Sequence, residues 1–121
     1  MTELHALSAI ELLAAYSSKA LSPVEVTRDV LQHIERCEPR LHATYALDPA
    51  AALAQAEASQ ARWLRNEPQG ALDGVPVTIK ENIATRGVPV PLGTAAVELV
   101  PAERDAPPAA RLREAGAVIL G

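Results

Sequence analysis

Lys80 follows an apolar, β-branched run from Val75 to Ile79, and its position favours chemistry more than that of any other residue in the sequence. Such a run predicts a buried strand, so a lysine at its carboxyl end is expected to lose hydration. Desolvation lowers the pKa of a lysine towards the range in which it acts as a base. A lysine that stays in water would only mark the end of the strand, and the spacing alone leaves both interpretations open.

Other chemical arrangements are weaker. His33 and Cys37 stand four residues apart on one predicted helix face, but two ligands do not make a zinc site and no second pair has the right spacing. The glycines follow no phosphate-binding pattern, so we interpret Gly70, Gly74, Gly87 and Gly93 as turn residues. We expect no metal and no cofactor.

The serines show no pattern typical of a nucleophile. None has glycine neighbours, and there is no G-x-S-x-G elbow. Two of them fit helix caps, and all five fall in or beside predicted helices: Ser8, Ser17, Ser18, Ser22 and Ser59.

The sequence of the first half of the chain predicts three helices. Capping boxes at Ser8–Glu11 and Ser22–Glu25 mark the first two starts, and Asp48-Pro49 marks the third. The first helix is expected to have an apolar stripe at Ile10, Leu13 and Ala14, and the second at Val26, Val30, Leu31 and Ile34. The second helix should end at Pro39. The third should run from Ala50 to Asn66 and be closed by Pro68.

The rest of the sequence predicts short strands, two of them before and after one helix. Between the second and third helices, His42 to Leu47 predicts a short strand. Pro76 should open the strand that leads to Lys80, because proline is unwelcome inside a central strand. Asp105 is expected to cap a helix that runs to Ala115, with Gly116 after it and a second strand at 117–120. Strand, helix and strand indicate an α/β fold with N-terminal helices and a parallel βαβ unit.

Composition excludes several classes of function. The 121 residues carry a net charge of −4 without a basic block, which argues against binding nucleic acid. No run of about 18 apolar residues exists, so we expect no membrane span. With a single cysteine, Cys37, no internal disulfide is possible, and the cytoplasm is the expected compartment.

The segment from Leu72 to Ile83 resembles the lysine segment of the amidase-signature family. That family shows a glycine–aliphatic–proline–aliphatic run followed by a lysine, an acid and an asparagine. The matching residues here are Gly74, Pro76, Lys80, Glu81 and Asn82. Thr85–Gly87, Leu92–Thr94 and Asp105–Gly121 resemble the loop, helix and strand that follow in the family, although Val90–Thr94 is less typical.

The resemblance implies a Ser–cis-Ser–Lys triad in which Lys80 is the general base that activates a nucleophilic serine towards an amide carbonyl. It also implies that residues 1–121 are the N-terminal part of a larger mixed-sheet α/β/α amidase fold, with helices over about 8–66 and strand, loop, helix and strand over about 75–121. The substrate would be a small amide. The family's two serines follow the last strand seen here, so we expect the isolated chain to be a truncated, inactive part of the enzyme.

Two alternatives remain open from the sequence. The same segment is similar to the A subunit of an aminoacyl-tRNA amidotransferase. The other alternative is a truncated, non-enzymatic interaction module that pairs with a partner through an unfinished sheet. The sequence also leaves open whether the chain forms a homodimer.

Overall fold

Residues 3–121 are described by the computed structural model, and the first half is helical where the capping signals predict it. The Ser8 and Ser22 hydroxyls accept from the N–H groups of the residues three positions later, and both capping boxes are complete. Asp48 accepts from the Ala51 N–H in the same way. These caps open α1 (Ala9–Ser17), α2 (Pro23–Leu41) and α3 (Pro49–Leu64), which follow a short 3₁₀ turn at Leu4–Ala6.

The buried face of α1 differs from the prediction. Leu12 and Tyr16 are buried, whereas Ile10 is 81% exposed. The Tyr16 hydroxyl donates to the Gly74 carbonyl at 2.9 Å, so the tyrosine turns its side of the helix towards the second half of the chain. Helical spacing limits which faces of α1 can be buried, and this long-range contact decides which of them is.

The end of α2 also differs. Pro39 lies inside the helix, which continues to Leu41. In the last turn the missing proline N–H costs one hydrogen bond on an exposed surface, and the His42 N–H closes the helix on the Glu38 carbonyl. Proline was therefore a poor marker of this helix end.

The strand predicted at His42–Leu47 was wrong, because this segment is irregular. His42 and Ala46 have φ angles of 48° and 53°, in the left-handed region that interrupts an extended strand. The Thr44 N–H donates to the Glu38 carboxylate instead of to a neighbouring strand.

The βαβ unit is confirmed. β1 (Pro76–Val77) and β2 (Val118–Ile119) are parallel with Pro76 opposite Val118, and α4 (Pro107–Glu114) connects them. Pro76 begins β1 as predicted, and Gly116 adopts a φ of 85° just after α4. Both strands are shorter than predicted, although hydrogen bonds from Gly74 N–H to Gly116 C=O and from Ile79 N–H to Gly121 C=O continue the pairing.

The core is made of small and aliphatic side chains between the helices and the sheet. One cluster joins α2, α3 and β2 through Val24, Ala52, Ala56, Val118 and Leu120. The other joins α1 to α2 through Leu12, Tyr16 and Val26. No helix within residues 3–121 is long and apolar enough to cross a membrane.

Candidate functional site

The carboxyl ends of β1 and β2 open onto a cavity of about 580 Å³. Parallel strands place the loops that follow them at one edge of the sheet, which is where open α/β folds bind ligands. The cavity lining combines the residues after β1 with the irregular segment before α3: Thr44, Tyr45, Ile79, Lys80, Glu81 and Val88 are among them.

Lys80 lies at this cavity with its backbone held on both sides. The Ile79 N–H donates to the Gly121 carbonyl at 2.8 Å, and the Lys80 carbonyl accepts from the Ile83 N–H at 3.0 Å. Its side chain is exposed, contrary to the expectation that the end of the strand would desolvate it. Backbone pairing along β1 ends at the bond from the Ile79 N–H to the Gly121 carbonyl, directly before Lys80, so no neighbouring strand covers the lysine in residues 3–121.

Glu81 follows Lys80 and is half-buried. Its Oε2 atom is buried and finds no hydrogen-bond partner among the described residues. A buried carboxylate oxygen without a donor is costly, so Glu81 is a point of local instability beside Lys80. Asn82 is exposed.

The loop after Lys80 is fastened to the start of α4. The Ala84 carbonyl accepts from the Ala106 N–H at 2.8 Å, and the Arg86 N–H donates to Asp105 Oδ1 at 2.8 Å. Asp105 also receives two hydrogen bonds from Arg113, at 2.8 and 3.1 Å, and these lower the pKa of Asp105 to about 2. The predicted capping role of Asp105 was wrong, because Ala106 is the N-cap residue and has no side-chain cap.

Asp73 anchors the segment that leads into β1, and sequence reasoning missed it. The side chain is fully buried. Oδ1 accepts from Ser59 Oγ at 2.6 Å and from Arg62 Nη2 at 2.7 Å, while Oδ2 accepts from Arg62 Nε at 2.7 Å and the Gln69 N–H at 2.6 Å. The Trp63 indole N–H adds a bond to the Asp73 carbonyl. The turn before β1 is thereby joined to α3.

The electrostatics of Asp73 follow from these contacts. Burial by itself raises the pKa of this carboxyl group, but the hydrogen bonds from Arg62, Ser59 and the Gln69 N–H outweigh burial and lower the pKa. The only sequence signal was an acid between two turn glycines, Gly70 and Gly74, and its partner Arg62 stands eleven residues away. Such a pair cannot be read from local spacing.

The remaining sequence candidates do not converge on Lys80. His33 Nε2 lies 3.6 Å from Cys37 Sγ, and the His33 ring stacks on His5 with centroids 3.7 Å apart. Within residues 3–121, no three His, Cys, Asp or Glu side chains are grouped to hold a metal. Ser59 is bound to Asp73, and the described lining of the cavity contains no serine.

Comparisons with known proteins agree with this architecture. The family model described as Amidase matches residues 25–121. The A subunit of the glutamyl-tRNA(Gln) amidotransferase of Chloroflexus aurantiacus is 38% identical over 121 residues, and that of Gloeobacter violaceus is 38% identical over 111 residues. The chain is covered at 100% and 92% in these matches, but it spans only 25% and 23% of those relatives.

Solved structures give the same family. The peptide amidase from Stenotrophomonas maltophilia superposes with a TM-score of 0.86 at 29% identity, covering 96% of this chain and 24% of that one. A bacterial aryl acylamidase of the amidase-signature enzymes superposes with a TM-score of 0.87 at 28% identity, covering 99% and 25%. The family match over 25–121 and these superpositions lead to one conclusion: the chain belongs to the amidase-signature family.

Proposed function

We propose that this chain is the N-terminal part of an amide hydrolase in which Lys80 is the general base of a Ser–cis-Ser–Lys triad. In that chemistry the lysine relays a proton through the cis-serine and so activates the nucleophilic serine. The serine attacks the amide carbonyl, ammonia or an amine leaves, and water releases the acid. Lys80 is the one member of the triad that we assign within this chain.

The observation that carries the proposal is the position of Lys80. It follows β1 directly, lines the cavity of about 580 Å³ at the carboxyl edge of the sheet, and has its backbone fixed by two hydrogen bonds. Polypeptide that covers this edge would remove water from the exposed lysine and lower its pKa, as a base requires. The relatives are about four times as long as this chain and have the length to supply such cover.

A chimera tests the role of Lys80. Residues 1–121 replace the matching quarter of the Stenotrophomonas maltophilia peptide amidase, and ammonia release from a peptide amide is measured. We expect Lys80→Ala to lower kcat by about 10³-fold or more, because the members of a catalytic unit fail together. Lys19→Ala is the matched control, since Lys19 is the other lysine of the chain and bonds Trp63 and Asn66 far from the cavity. A folded chimera that keeps its kcat after Lys80→Ala contradicts the proposal.

The isolated chain gives a second test. We expect the 121-residue chain to release no ammonia from simple amides above the rate of the Lys80→Ala variant, because the described cavity lining contains no serine to act as nucleophile. Turnover that is lost on Lys80→Ala would show that this chain alone carries a working site.

The curated relatives support a second candidate, the A subunit of a glutamyl-tRNA(Gln) amidotransferase. Relatives with that name match the full chain at 37–38% identity, above the 28–30% of the amidase structures. A second chimera, built on the Chloroflexus aurantiacus protein, separates the candidates. Function with glutamyl-tRNA in that chimera, and failure of the peptide-amidase chimera, would favour the amidotransferase.

A further inference from the structure

One side chain occupies the outer edge of β2 in the manner of a neighbouring strand. Gln55 of α3 accepts from the Ile119 N–H at 2.9 Å through Oε1 and donates to the Ile119 carbonyl at 3.2 Å through Nε2. A primary amide carries one acceptor and a donor group, as a peptide unit does. Gln55 therefore satisfies both backbone groups of one residue.

The pairing of the sheet shows why Ile119 matters. The Val118 and Leu120 N–H groups donate to Val75 and Val77, so these residues turn towards β1. Ile119 lies between them, and its N–H and C=O point to the other side. Ile119 is thus the residue of β2 that a further strand would have to pair with first.

A second contact joins the end of β2 to α3. The Asp48 N–H, at the start of α3, donates to the Leu120 carbonyl at 3.1 Å. The end of β2 is therefore bonded to α3 at two neighbouring residues. On the outer side of β1, in contrast, Pro76 has no N–H and Thr78 is exposed.

We infer that Gln55 acts as a substitute strand that closes the outer edge of β2 against pairing with a second copy of this chain. An open edge of this kind pairs with other chains, and proteins protect such edges with blocking groups. Because β2 is closed, strands join this sheet only beside β1. Lys80 then lies at the end of an internal strand, with cover available on both sides.

Gln55→Met is the decisive variant, because methionine keeps the volume and helix propensity of glutamine but forms neither hydrogen bond. Exchange of the Ile119 amide hydrogen is followed by NMR over a range of concentrations, beside sedimentation velocity. At low concentration we expect the variant to exchange at least about 10-fold faster than the parent chain, which corresponds to the loss of roughly 1.4 kcal/mol of protection. As concentration rises, the variant should associate more strongly than the parent chain, and the Ile119 amide should regain protection.

Two controls keep the test sharp. Gln60→Met makes the same change on the same helix without touching β2, and we expect exchange and mass equal to those of the parent. Gln55→Glu keeps an acceptor for the Ile119 N–H and adds a charge at the edge, so the amide should stay protected and the variant should associate no more than the parent chain. If Gln55→Met does not fold, an unprotected Ile119 amide in the folded Gln55→Glu variant would overturn the inference.

Three results would overturn the inference. The first is a folded Gln55→Met chain whose Ile119 amide exchanges at the parent rate. The second is an unprotected Ile119 amide without association beyond that of the parent chain at high concentration. The third is association that leaves the Ile119 amide unprotected, because another surface would then be responsible. These readouts do not depend on amide hydrolysis, so they separate this inference from the proposed function.

Discussion

At the scale of single residues, burial and partners decide what each ionisable group does. Asp73 is fully buried and accepts four hydrogen bonds, while Lys80 is exposed at the cavity. Asp73 therefore stabilises the turn that precedes β1, and Lys80 is held in place by its backbone alone. The acid that supports the strand and the base that follows it have different physical roles.

We expect Asp73→Asn to lower the free energy of unfolding by about 3 kcal/mol, because it leaves the Arg62 guanidinium without its carboxylate in a buried site. Asp105→Asn makes the same change at a pair whose arginine, Arg113, is 37% exposed, and should cost only about 1 kcal/mol. Urea unfolding followed by the fluorescence of Trp63, which bonds the Asp73 carbonyl, measures both. Equal losses of unfolding free energy for the two variants would contradict the expectation that the more buried pair contributes more to stability.

The same carboxylates predict how stability depends on pH. Both have folded-state pKa values below their ordinary values, and that of Asp105 is lowered from 3.8 to about 2. Their stabilisation is therefore complete above about pH 4 and is lost as pH falls through the folded-state pKa. We expect the gap in unfolding free energy between the parent and Asp105→Asn to be constant from about pH 5 to 7 and to close towards about pH 2. A gap in unfolding free energy that widens on acidification would contradict the lowered folded-state pKa of Asp105.

At the scale of elements, the turn into β1 depends on a glycine that has no room for a side chain. Gly74 has a φ of 86°, and a Cβ there would lie 2.7 Å from Ser59 Oγ and 2.8 Å from Pro23. This close approach lets α1, α2 and α3 meet at the start of β1. Helix caps set where these helices begin, but Gly74 sets how close they come to the strand.

Gly87 provides the matched comparison for this turn. It has a φ of 85° with nothing within 4 Å of the Cβ position, so Gly87→Ala tests backbone strain without collision. We expect Gly87→Ala to cost about 1 kcal/mol and Gly74→Ala at least about 3 kcal/mol, because overpacking adds to the strain. Thermal and urea unfolding of both variants provide the measurement. A similar cost at the two positions would mean that the core around Gly74 can relax.

At the scale of the whole molecule, apolar side chains lie exposed in the loop between β1 and α4. Leu92, Leu99 and Val100 are each more than half exposed. Contiguous exposed apolar surface favours association, because its burial removes the surface from water. The alternative of a self-sufficient interaction module, and the homodimer that the sequence left open, both depend on what this surface does in solution.

We expect the chain to associate with rising concentration and a Leu99→Ser, Val100→Ser double variant to associate less. Ile10→Ser, which changes an exposed apolar residue on α1, is the control and should behave like the parent. Sedimentation velocity distinguishes the outcomes. Open-ended association is expected of a part of a larger domain, whereas a discrete dimer unaffected by the double variant would favour a self-sufficient module.

The sequence by itself determined the features that depend on near neighbours. Capping residues act on N–H groups three positions away, so the starts of all three long helices were correctly predicted. The apolar runs and the glycine after α4 predicted the βαβ unit, and the lysine segment identified the family. These signals are local because hydrogen bonds and backbone angles of neighbouring residues create them.

Tertiary structure alone decided the features that join distant segments. The buried face of α1 follows from the bond between Tyr16 and Gly74, and the role of Asp73 from Arg62 and Ser59. The closed edge of β2 depends on Gln55, 64 positions from Ile119. Lys80 is exposed because the pairing of β1 ends at Ile79, the residue before it. Each depends on which segments approach one another, and burial of apolar surface across the whole fold decides that approach.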